Sequence, residues 1–152
     1  MLLKSSIFNL VFYISIIFFG IIFIPLLPSK KLTAKGIKLW AQIVIYALKK
    51  ILTIQIKFEN NHVSNSNGAI IAANHKSAFD TIYFLAKFDK VIYIVKEELK
   101  YIPIYGWYAI RLGNIFLNRK KRIQSIKRLS IKVDNLIKEG YKVIIFPEGT
   151  RS

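Results

Sequence analysis

Hydrophobic residues divide the chain into an almost wholly apolar front and a remainder in which apolar and polar stretches alternate. No charged side chain lies between Lys4 and Lys30, and residues 7–27 form a nearly continuous apolar run. A helix needs about 20 apolar residues to cross a bilayer. The first segment therefore predicts a helix that crosses or enters a membrane.

A cleaved signal peptide is the alternative interpretation of this segment. The run is longer than the apolar core of a typical signal peptide, and Pro25–Pro28 offers no small-residue cleavage site. Basic residues are concentrated after the segment, with only Lys4 before it, and this bias predicts a cytoplasmic location for the downstream part. The lysines that follow are Lys30, Lys31, Lys35 and Lys38.

Residues 36–52 form a second apolar stretch, which is shorter and basic at both ends. It suits the return arm of a shallow membrane hairpin or a helix lying in the bilayer interface. A buried helix of a globular core is the alternative. We assign residues 1–52 to a membrane-associated helical anchor.

From residue 53 onward, short apolar runs alternate with helical patterns, which is typical of an α/β layered fold. Strands are predicted at 53–58, 69–73, 91–95, 114–117 and 142–146. Helices are predicted at 77–88, 104–112 and 122–138. We therefore expect a central mixed sheet flanked by helices.

Composition narrows the class of protein. The chain has 152 residues, 24 Lys and Arg against 8 Asp and Glu, a net charge of +16, and 53% hydrophobic residues. This apolar content excludes disorder, and a chain both basic and apolar first suggests a membrane surface with anionic lipid. A nucleic-acid binder, indicated only by the charge and by the basic run at 119–122, is the weaker alternative. Without cysteine, a disulfide scaffold, a thiolate metal site and a Cys nucleophile are excluded.

The first candidate for chemistry follows the apolar strand at 69–73. His75 and Asp80 lie five residues apart, with Ser77 between them as a candidate helix N-cap. An Asp bonded to one imidazole nitrogen orients the ring, so that the other nitrogen can accept a proton from a substrate hydroxyl. The pair would be the base half of a catalytic triad without a nucleophile, although a purely structural role is the alternative.

Two further candidates also follow predicted strands. Arg119 comes just after the strand at 114–117, and a polar loop comes after the strand at 142–146. A guanidinium offers a planar fork suited to phosphate, and a glycine lets the backbone approach a ligand. An ordinary surface turn is the alternative for the loop. Its residues are Glu148, Gly149, Thr150 and Arg151.

These candidates fall in three sequence blocks. The first fits N-H-x-x-x-x-D through Asn74, His75 and Asp80, and the third is F-P-E-G-T-R-S, complete at 146–152. The middle block fits K-x-E-L, I-P and G-x-I-F-x-x-R through Lys96, Glu98, Leu99, Ile102, Pro103, Gly113, Ile115, Phe116 and Arg119. In this order the blocks resemble the glycerolipid acyltransferases, specifically the 1-acyl-glycerol-3-phosphate acyltransferases, and the apolar front is similar to that family's membrane anchor.

The resemblance implies a reaction. His75 would act as general base on the free hydroxyl of lysophosphatidic acid, with Asp80 orienting it, and the hydroxyl would attack the thioester of acyl-CoA or acyl carrier protein to give phosphatidic acid. The acceptor-binding residues would be Arg119, Glu148, Gly149, Thr150 and Arg151, with the phosphate on the arginines. No metal, cofactor or nucleic acid is implied. The expected partners are the acceptor, the acyl donor and membrane lipids, at the cytoplasmic face of the cell membrane.

The sequence departs from the family pattern at Asn118, where Asp is frequent, and after Ser152, where further strands and a proline-containing motif are expected. We therefore expect residues 53–152 to be the N-terminal portion of a catalytic domain whose C-terminal part is missing. The alternatives are an acyltransferase for another lysophospholipid or for glycerol-3-phosphate, and a membrane-bound fragment without catalysis.

Overall fold

The computed structural model describes residues 2–54, 56, 66–74, 77–118 and 122–147. Two long helices come first, α1 (Leu2–Ile22) and α2 (Lys30–Leu52), joined by a 3-10 turn at Ile24–Leu26. The described strands that follow are β1 (Ala69–Ala72), β2 (Val91–Lys96), β3 (Ile115–Leu117) and β4 (Lys142–Ile145). The described helices between them are α3 (Ala78–Lys87), α4 (Tyr105–Leu112) and α5 (Arg122–Lys138), with a 3-10 turn at Glu97–Tyr101 before α4.

α1 and α2 form a helical hairpin whose corner is held by hydrogen bonds. The Ser29 side chain caps α2 by accepting a backbone N–H of its first turn. Thr33 is buried beneath the corner, and its Oγ1 donates to the carbonyl oxygens of Leu26 and Ser29 at 2.8 and 2.9 Å. α2 begins at Lys30, ahead of the apolar stretch predicted at 36–52, because a capped, lysine-rich turn is helical without contributing to the apolar pattern.

α1 packs along α2 through aromatic side chains but leaves most of its apolar surface exposed. Phe12 stacks on Trp40 with ring centroids 6.4 Å apart, and Trp40 Nε1 donates to Ser15 Oγ at 3.1 Å. Within the described residues, the helix at Leu3–Ile22 is the one that is long and apolar enough to cross a membrane, by length and composition.

The described strands form one parallel sheet in the order β1-β4-β2-β3. This confirms the α/β fold class. The sheet was expected to be mixed, and this part of the prediction is wrong for the described strands. Each of them is joined to the next by a helix, and a helical crossover returns the chain in its original direction.

Helices cover both faces of the sheet. α3 and the residue that follows it pack on one face, where Phe84 and Phe88 meet Ile144. α5 packs on the other face, where Val133 meets Val143. Right-handed crossovers explain this division: the chain moves across the sheet from β1 through β2 to β3, and then reverses to place β4 between β1 and β2.

The hairpin packs onto α3, which ties α1 and α2 to the sheet. Ile82 of α3 is buried together with Ala41 and Val44 of α2. Lys38 of α2 forms an ion pair with Asp89, which lies just after α3. α2 therefore buries one face as a core helix does, while apolar side chains remain exposed on its other side.

The strand predicted at 53–58 falls largely outside the described residues. Thr53 is the left-handed C-cap of α2, with φ at 58°, and neither Ile54 nor Ile56 belongs to a strand. The predicted elements from residue 69 onward are confirmed to within one residue at each end. The division of the chain into an anchor at 1–52 and a domain at 53–152 stays a prediction.

Candidate active site

The first and third sequence blocks follow neighbouring strands. β1 and β4 pair in parallel with Ala72 opposite Ile145, and the backbone N–H of Ala73 donates to the Ile145 carbonyl at 3.0 Å. Asn74 of the first block and Phe146 of the third therefore leave the same edge of the sheet side by side. This carboxyl edge is where sites form in open α/β sheets.

The middle block reaches the same edge from β2 and β3. Lys96 at the end of β2 lies opposite Leu117 at the end of β3. Beyond them, Asn118 Nδ2 donates to Glu97 Oε2 at 2.6 Å. Glu97 thereby joins the 3-10 turn after β2 to the residue that precedes Arg119 in the chain.

This contact explains the departure from the family pattern at residue 118. A carboxylate only accepts hydrogen bonds when it is ionised, so an Asp there would face the Glu97 carboxylate without a donor. The Asn118 amide supplies the missing N–H. The substitution is therefore compatible with the arrangement of the middle block.

Asp80 lies in the first turn of α3, as the sequence predicts. Ser77 is the N-cap, and its Oγ accepts the backbone N–H of Phe79 at 3.2 Å. Asp80 Oδ2 in turn accepts the backbone N–H of Ser77 at 2.8 Å, which completes a capping box. This reciprocal pair fixes the Asp80 carboxylate at the start of α3, where the helix dipole favours negative charge.

A buried tyrosine holds α3 against β2. Tyr93 is almost fully buried, and its hydroxyl donates to the carbonyl oxygen of Thr81 at 2.6 Å. Thr81 directly follows Asp80, so this hydrogen bond fixes the position of α3 relative to β2 beside the candidate catalytic carboxylate. Burial raises the pKa of Tyr93 well above its ordinary value, and the nearby Tyr105 makes a smaller contribution in the same direction. The hydroxyl therefore stays protonated and remains a donor.

Strand order sets the spacing between the blocks. Neighbouring strands lie about 4.8 Å apart, so the first and third blocks start within one strand spacing of each other. β1 and β3 are separated by three such spacings, which is about 14 Å. The first and third blocks are therefore placed to supply groups that act together on one atom, whereas the end of the middle block at β3 starts farther from them.

The remaining predicted site residues lie outside the described residues. They are His75, Arg119, Glu148, Gly149, Thr150 and Arg151. Their roles stay predictions, including the contact between His75 and Asp80. In the described ranges, no group of three or more His, Asp or Glu side chains could hold a metal ion.

Sequence reasoning missed two features of the site. The capping box has a signal, since a Ser followed three residues later by an Asp at the start of a helix is its usual spacing. The bond from Tyr93 to Thr81 has none, because a tyrosine in a buried strand does not reveal which helix backbone it will meet.

Comparison with known proteins supplies the family. A family model described as Acyltransferase matches residues 55–152. The chain belongs to the acyltransferase family. The family predicted from the three blocks is confirmed, and the family model covers all three of them.

Individual relatives agree with this assignment. The chain is 27% identical over 127 residues to a 1-acyl-sn-glycerol-3-phosphate acyltransferase of Pseudomonas aeruginosa, an alignment that covers 84% of this chain and 49% of that protein. It is 35% identical over 118 residues to a chloroplastic 1-acyl-sn-glycerol-3-phosphate acyltransferase of Arabidopsis thaliana, which covers 76% and 31% of the two chains. The chain thus spans half or less of the length of these relatives.

The fold also matches a solved member of the family. The crystal structure of the 1-acyl-sn-glycerophosphate (LPA) acyltransferase PlsC from Thermotoga maritima superposes with a TM-score of 0.69 at 26% identity. The match covers 99% of this chain and 61% of that one. The likeness therefore includes the helical hairpin as well as the parallel sheet.

Proposed function

We propose that the protein transfers a fatty acyl group from an acyl thioester to the free hydroxyl of 1-acyl-glycerol-3-phosphate, giving phosphatidic acid. The observation that carries the proposal is that relatives aligned over most of this chain, from a bacterium and a plant, are named as 1-acyl-sn-glycerol-3-phosphate acyltransferases. The convergence of the sequence blocks on one edge of the sheet supports it.

In the proposed reaction, His75 takes the proton of the acceptor hydroxyl as the hydroxyl oxygen attacks the thioester carbonyl carbon. The new ester C–O bond forms, the C–S bond breaks, and His75 returns the proton to the leaving thiolate. Asp80 orients the imidazole and stabilises its transient positive charge. The hydroxyl attacks directly, so the reaction needs no acyl-enzyme and no cysteine.

The acceptor phosphate is proposed to bind to Arg119 and Arg151, since bidentate hydrogen bonds from guanidinium groups suit phosphate oxygens. The other proposed acceptor-binding residues are Glu148, Gly149 and Thr150. Proximity of the first and third blocks supports placing the hydroxyl and the phosphate of a small glycerol backbone between them.

We further propose that α1 enters the cell membrane and that the sheet lies on the cytoplasmic side. The length and apolar surface of α1 support the first part, and the lysines after it support the second. A cytoplasmic site is accessible to acyl-CoA and to acyl carrier protein, either of which could be the donor.

The test is acyl transfer by the protein expressed from its whole reading frame and reconstituted in vesicles. Lysophosphatidic acid is supplied with labelled acyl-CoA or acyl carrier protein, and labelled phosphatidic acid is measured. His75→Ala should lower the rate by about 10²–10⁴-fold, the usual contribution of general base catalysis. His62→Ala, which changes the other histidine of the chain, is the matched control and should retain activity.

Three outcomes would contradict the proposal. If His75→Ala turned over as fast as the wild type, His75 would be excluded as the general base. Transfer to glycerol-3-phosphate or to lysophosphatidylcholine in preference to lysophosphatidic acid would assign a different acceptor. A folded wild-type protein without transfer to any acceptor would favour a non-catalytic membrane role.

A further inference from the structure

α4 and the turn before it expose a group of large apolar side chains. Tyr101, Ile102, Trp107 and Ile110 are 74%, 46%, 50% and 55% exposed, and we call these four residues the aromatic patch. The other side of α4 is buried through Tyr108 and Ala109. The patch is therefore the outer surface of a packed helix.

α4 contacts the hairpin at several points. Tyr108 Oη donates to the carbonyl oxygen of Gly20, near the end of α1, at 2.9 Å. Ile104 lies very close to Gly20: a Cβ added to Gly20 would be 2.6 Å from Cγ2 of Ile104. Arg111 donates to the carbonyl oxygen of Pro28 in the hairpin corner. The position of α4 is therefore fixed relative to α1.

The aromatic patch borders this contact directly. Trp107 lies four residues before Arg111, and residues at this spacing are neighbours on a helix surface; it also directly precedes Tyr108, which contacts Gly20. Since Tyr108 and Arg111 both contact the hairpin, Trp107 stands at the margin of the contact with its side chain half exposed. Ile110 follows Trp107 at the other neighbouring spacing, three residues, and extends the exposed surface away from the hairpin.

The last turns of α1 present the same kind of surface on the other side of the contact. Gly20 lies among four apolar side chains that are more than half exposed, Ile17, Phe18, Ile21 and Ile22. An exposed apolar surface thus runs from the end of α1, across its contact with α4, to the aromatic patch. If lipid covers α1, it lies next to the patch as well.

We propose that the aromatic patch is a second membrane contact, through which the sheet domain itself rests in the lipid interface beside α1. Trp and Tyr prefer the boundary between headgroups and acyl chains, and isoleucine side chains suit the acyl chains below it. Exposed Lys31 and Lys35 follow the hairpin corner, where they would meet anionic headgroups, whereas Lys30 contacts Tyr141.

Lipid suits this surface better than a protein partner does. The exposed apolar surface is shared between α1 and the patch, and a bilayer can cover both at once. A protein bound to the patch would have to exclude lipid from the adjoining end of α1. The proposal uses the membrane location proposed above for α1 and does not depend on acyl transfer.

The contact would bring the carboxyl edge of the sheet to the bilayer surface. Tyr101 ends the 3-10 turn that follows β2, at the edge where the three sequence blocks meet. A membrane-dissolved acceptor could then reach that edge without passing through water.

Two isoleucines provide a matched test. Ile110 and Ile131 both lie on helices and are both 55% exposed, but Ile131 is on α5, which covers the opposite face of the sheet. The sequence of residues 1–152 has no cysteine, so Ile110→Cys and Ile131→Cys each create one labelling site within it, and any cysteine that the whole reading frame encodes beyond residue 152 is replaced by serine. Each variant is spin-labelled and reconstituted in vesicles of phosphatidylcholine and phosphatidylglycerol. Collisions with oxygen, which is concentrated in lipid, are compared with collisions with a water-soluble nickel complex.

We expect the ratio of oxygen to nickel collisions to be severalfold higher at site 110 than at site 131. Equal access of nickel to both sites would overturn the proposal, because the patch would then face water. Protection of site 110 from both reagents would also overturn it, because a protein surface would then cover the patch. Failure of the protein to associate with vesicles would overturn both this contact and the membrane location of α1.

Trp107 gives a second measurement that leaves Ile110 unchanged. Residues 1–152 contain two tryptophans, so Trp40→Phe leaves Trp107 as the only one among them, and any tryptophan that the whole reading frame encodes beyond residue 152 is replaced by phenylalanine. Lipids brominated in their acyl chains should quench its fluorescence strongly. The matched control combines Trp40→Phe, Trp107→Phe and Ile131→Trp, which moves the tryptophan to α5. Its fluorescence should be quenched little. Equal quenching of the two proteins would contradict the proposal.

Discussion

Asp80 has a structural bond and a proposed chemical role on the same carboxylate. Its Oδ2 accepts the N–H of Ser77 in the capping box, and the sequence motif assigns the carboxylate to His75. A simple alanine substitution would remove both functions at once. Substitutions that separate them are therefore more informative.

We expect Asp80→Asn to keep the helix cap and lose activity. The amide oxygen can still accept the Ser77 N–H, so the free energy of unfolding should fall by no more than about 0.5 kcal/mol. The amide cannot stabilise a charged imidazole, so the rate of acyl transfer should fall by about 10²-fold or more. Chemical denaturation and the transfer assay measure the two effects.

Ser77→Ala is the complementary control. It removes the side-chain acceptor of the cap and should cost about 1 kcal/mol of stability, while the Asp80 carboxylate remains. Its activity should therefore stay close to that of the wild type at a temperature where it is folded. Equal activity of Asp80→Asn and the wild type would show that the carboxylate is structural only.

Tyr93→Phe tests the bond that positions α3. Loss of the hydroxyl leaves the Thr81 carbonyl without its 2.6 Å donor and should lower the free energy of unfolding by about 0.5–1.5 kcal/mol. Because α3 carries Asp80, kcat should fall more than KM changes. Tyr46→Phe removes a hydroxyl from a side chain that is 63% exposed and should change neither quantity. The same small effect in both variants would contradict a positioning role for Tyr93.

At the scale of elements, the contact between α1 and α4 depends on a glycine. Alanine at position 20 would gain about 1 kcal/mol of helix propensity. Its Cβ would, however, lie 2.6 Å from Ile104 Cγ2, a methyl group on the branched Cβ that moves only if the whole side chain changes its χ1 rotamer. Overpacking of this kind costs about 1–3 kcal/mol, so the clash should outweigh the gain.

We therefore expect Gly20→Ala to lower the melting temperature of the protein in a fixed detergent. Ile104→Ala in the same chain should restore it by removing the clashing methyl group. Gly36→Ala is the control, since its Cβ would lie 2.9 Å from Leu26 Cδ1, the far end of a flexible side chain that can move. A larger loss in Gly36→Ala than in Gly20→Ala would contradict this account of the contact.

Elements whose pattern is local could be predicted well from the sequence. Helix 122–138 is found with both of its predicted ends, because an amphipathic repeat and Gly140, with φ at 85°, mark them independently of the rest of the fold. The start of α2 was missed, because a cap and lysines carry no apolar pattern. Strand order was not predictable, since the alternation within a strand does not specify its neighbours.

The candidate site was predictable to a similar degree and for a similar reason. Blocks that follow buried strands identify the edge of the sheet, and the structure places the first and third blocks side by side there. The bonds from Tyr93 to Thr81 and from Asn118 to Glu97 join residues far apart in the sequence. Such pairs depend on how the elements pack against one another, and the hydrophobic periodicity of the sequence does not specify that packing.

At the scale of the whole molecule, the membrane location of α1 can be tested with one charge. Ile14 lies near the middle of the apolar helix and is 57% exposed. Lysine at the centre of a membrane helix costs about 2.5–3.5 kcal/mol, so Ile14→Lys should release part of the protein from membranes. The measurement is the fraction that sediments with membranes after a high-salt wash.

Ile131→Lys adds the same charge at a similarly exposed position on α5 and should leave the sedimenting fraction unchanged. The wild type should remain bound in high salt, because no charged side chain lies between Lys4 and Lys30 and the attachment is apolar. Release of the wild type by salt alone would indicate that only surface charge holds the protein to lipid.

The strand order also has a consequence for how the chain is made. β4 is synthesised about 70 residues after β1, yet it lies between β1 and β2. While the ribosome is still adding α5, β1 and β2 both lack β4, the strand that pairs with each of them in the described part of the sheet. Pairing over such a long separation is slow and leaves apolar edges exposed to aggregation. The hairpin, already complete and packed on α3, can hold β1 and β2 near each other during this interval, so early membrane attachment would also protect the unfinished sheet.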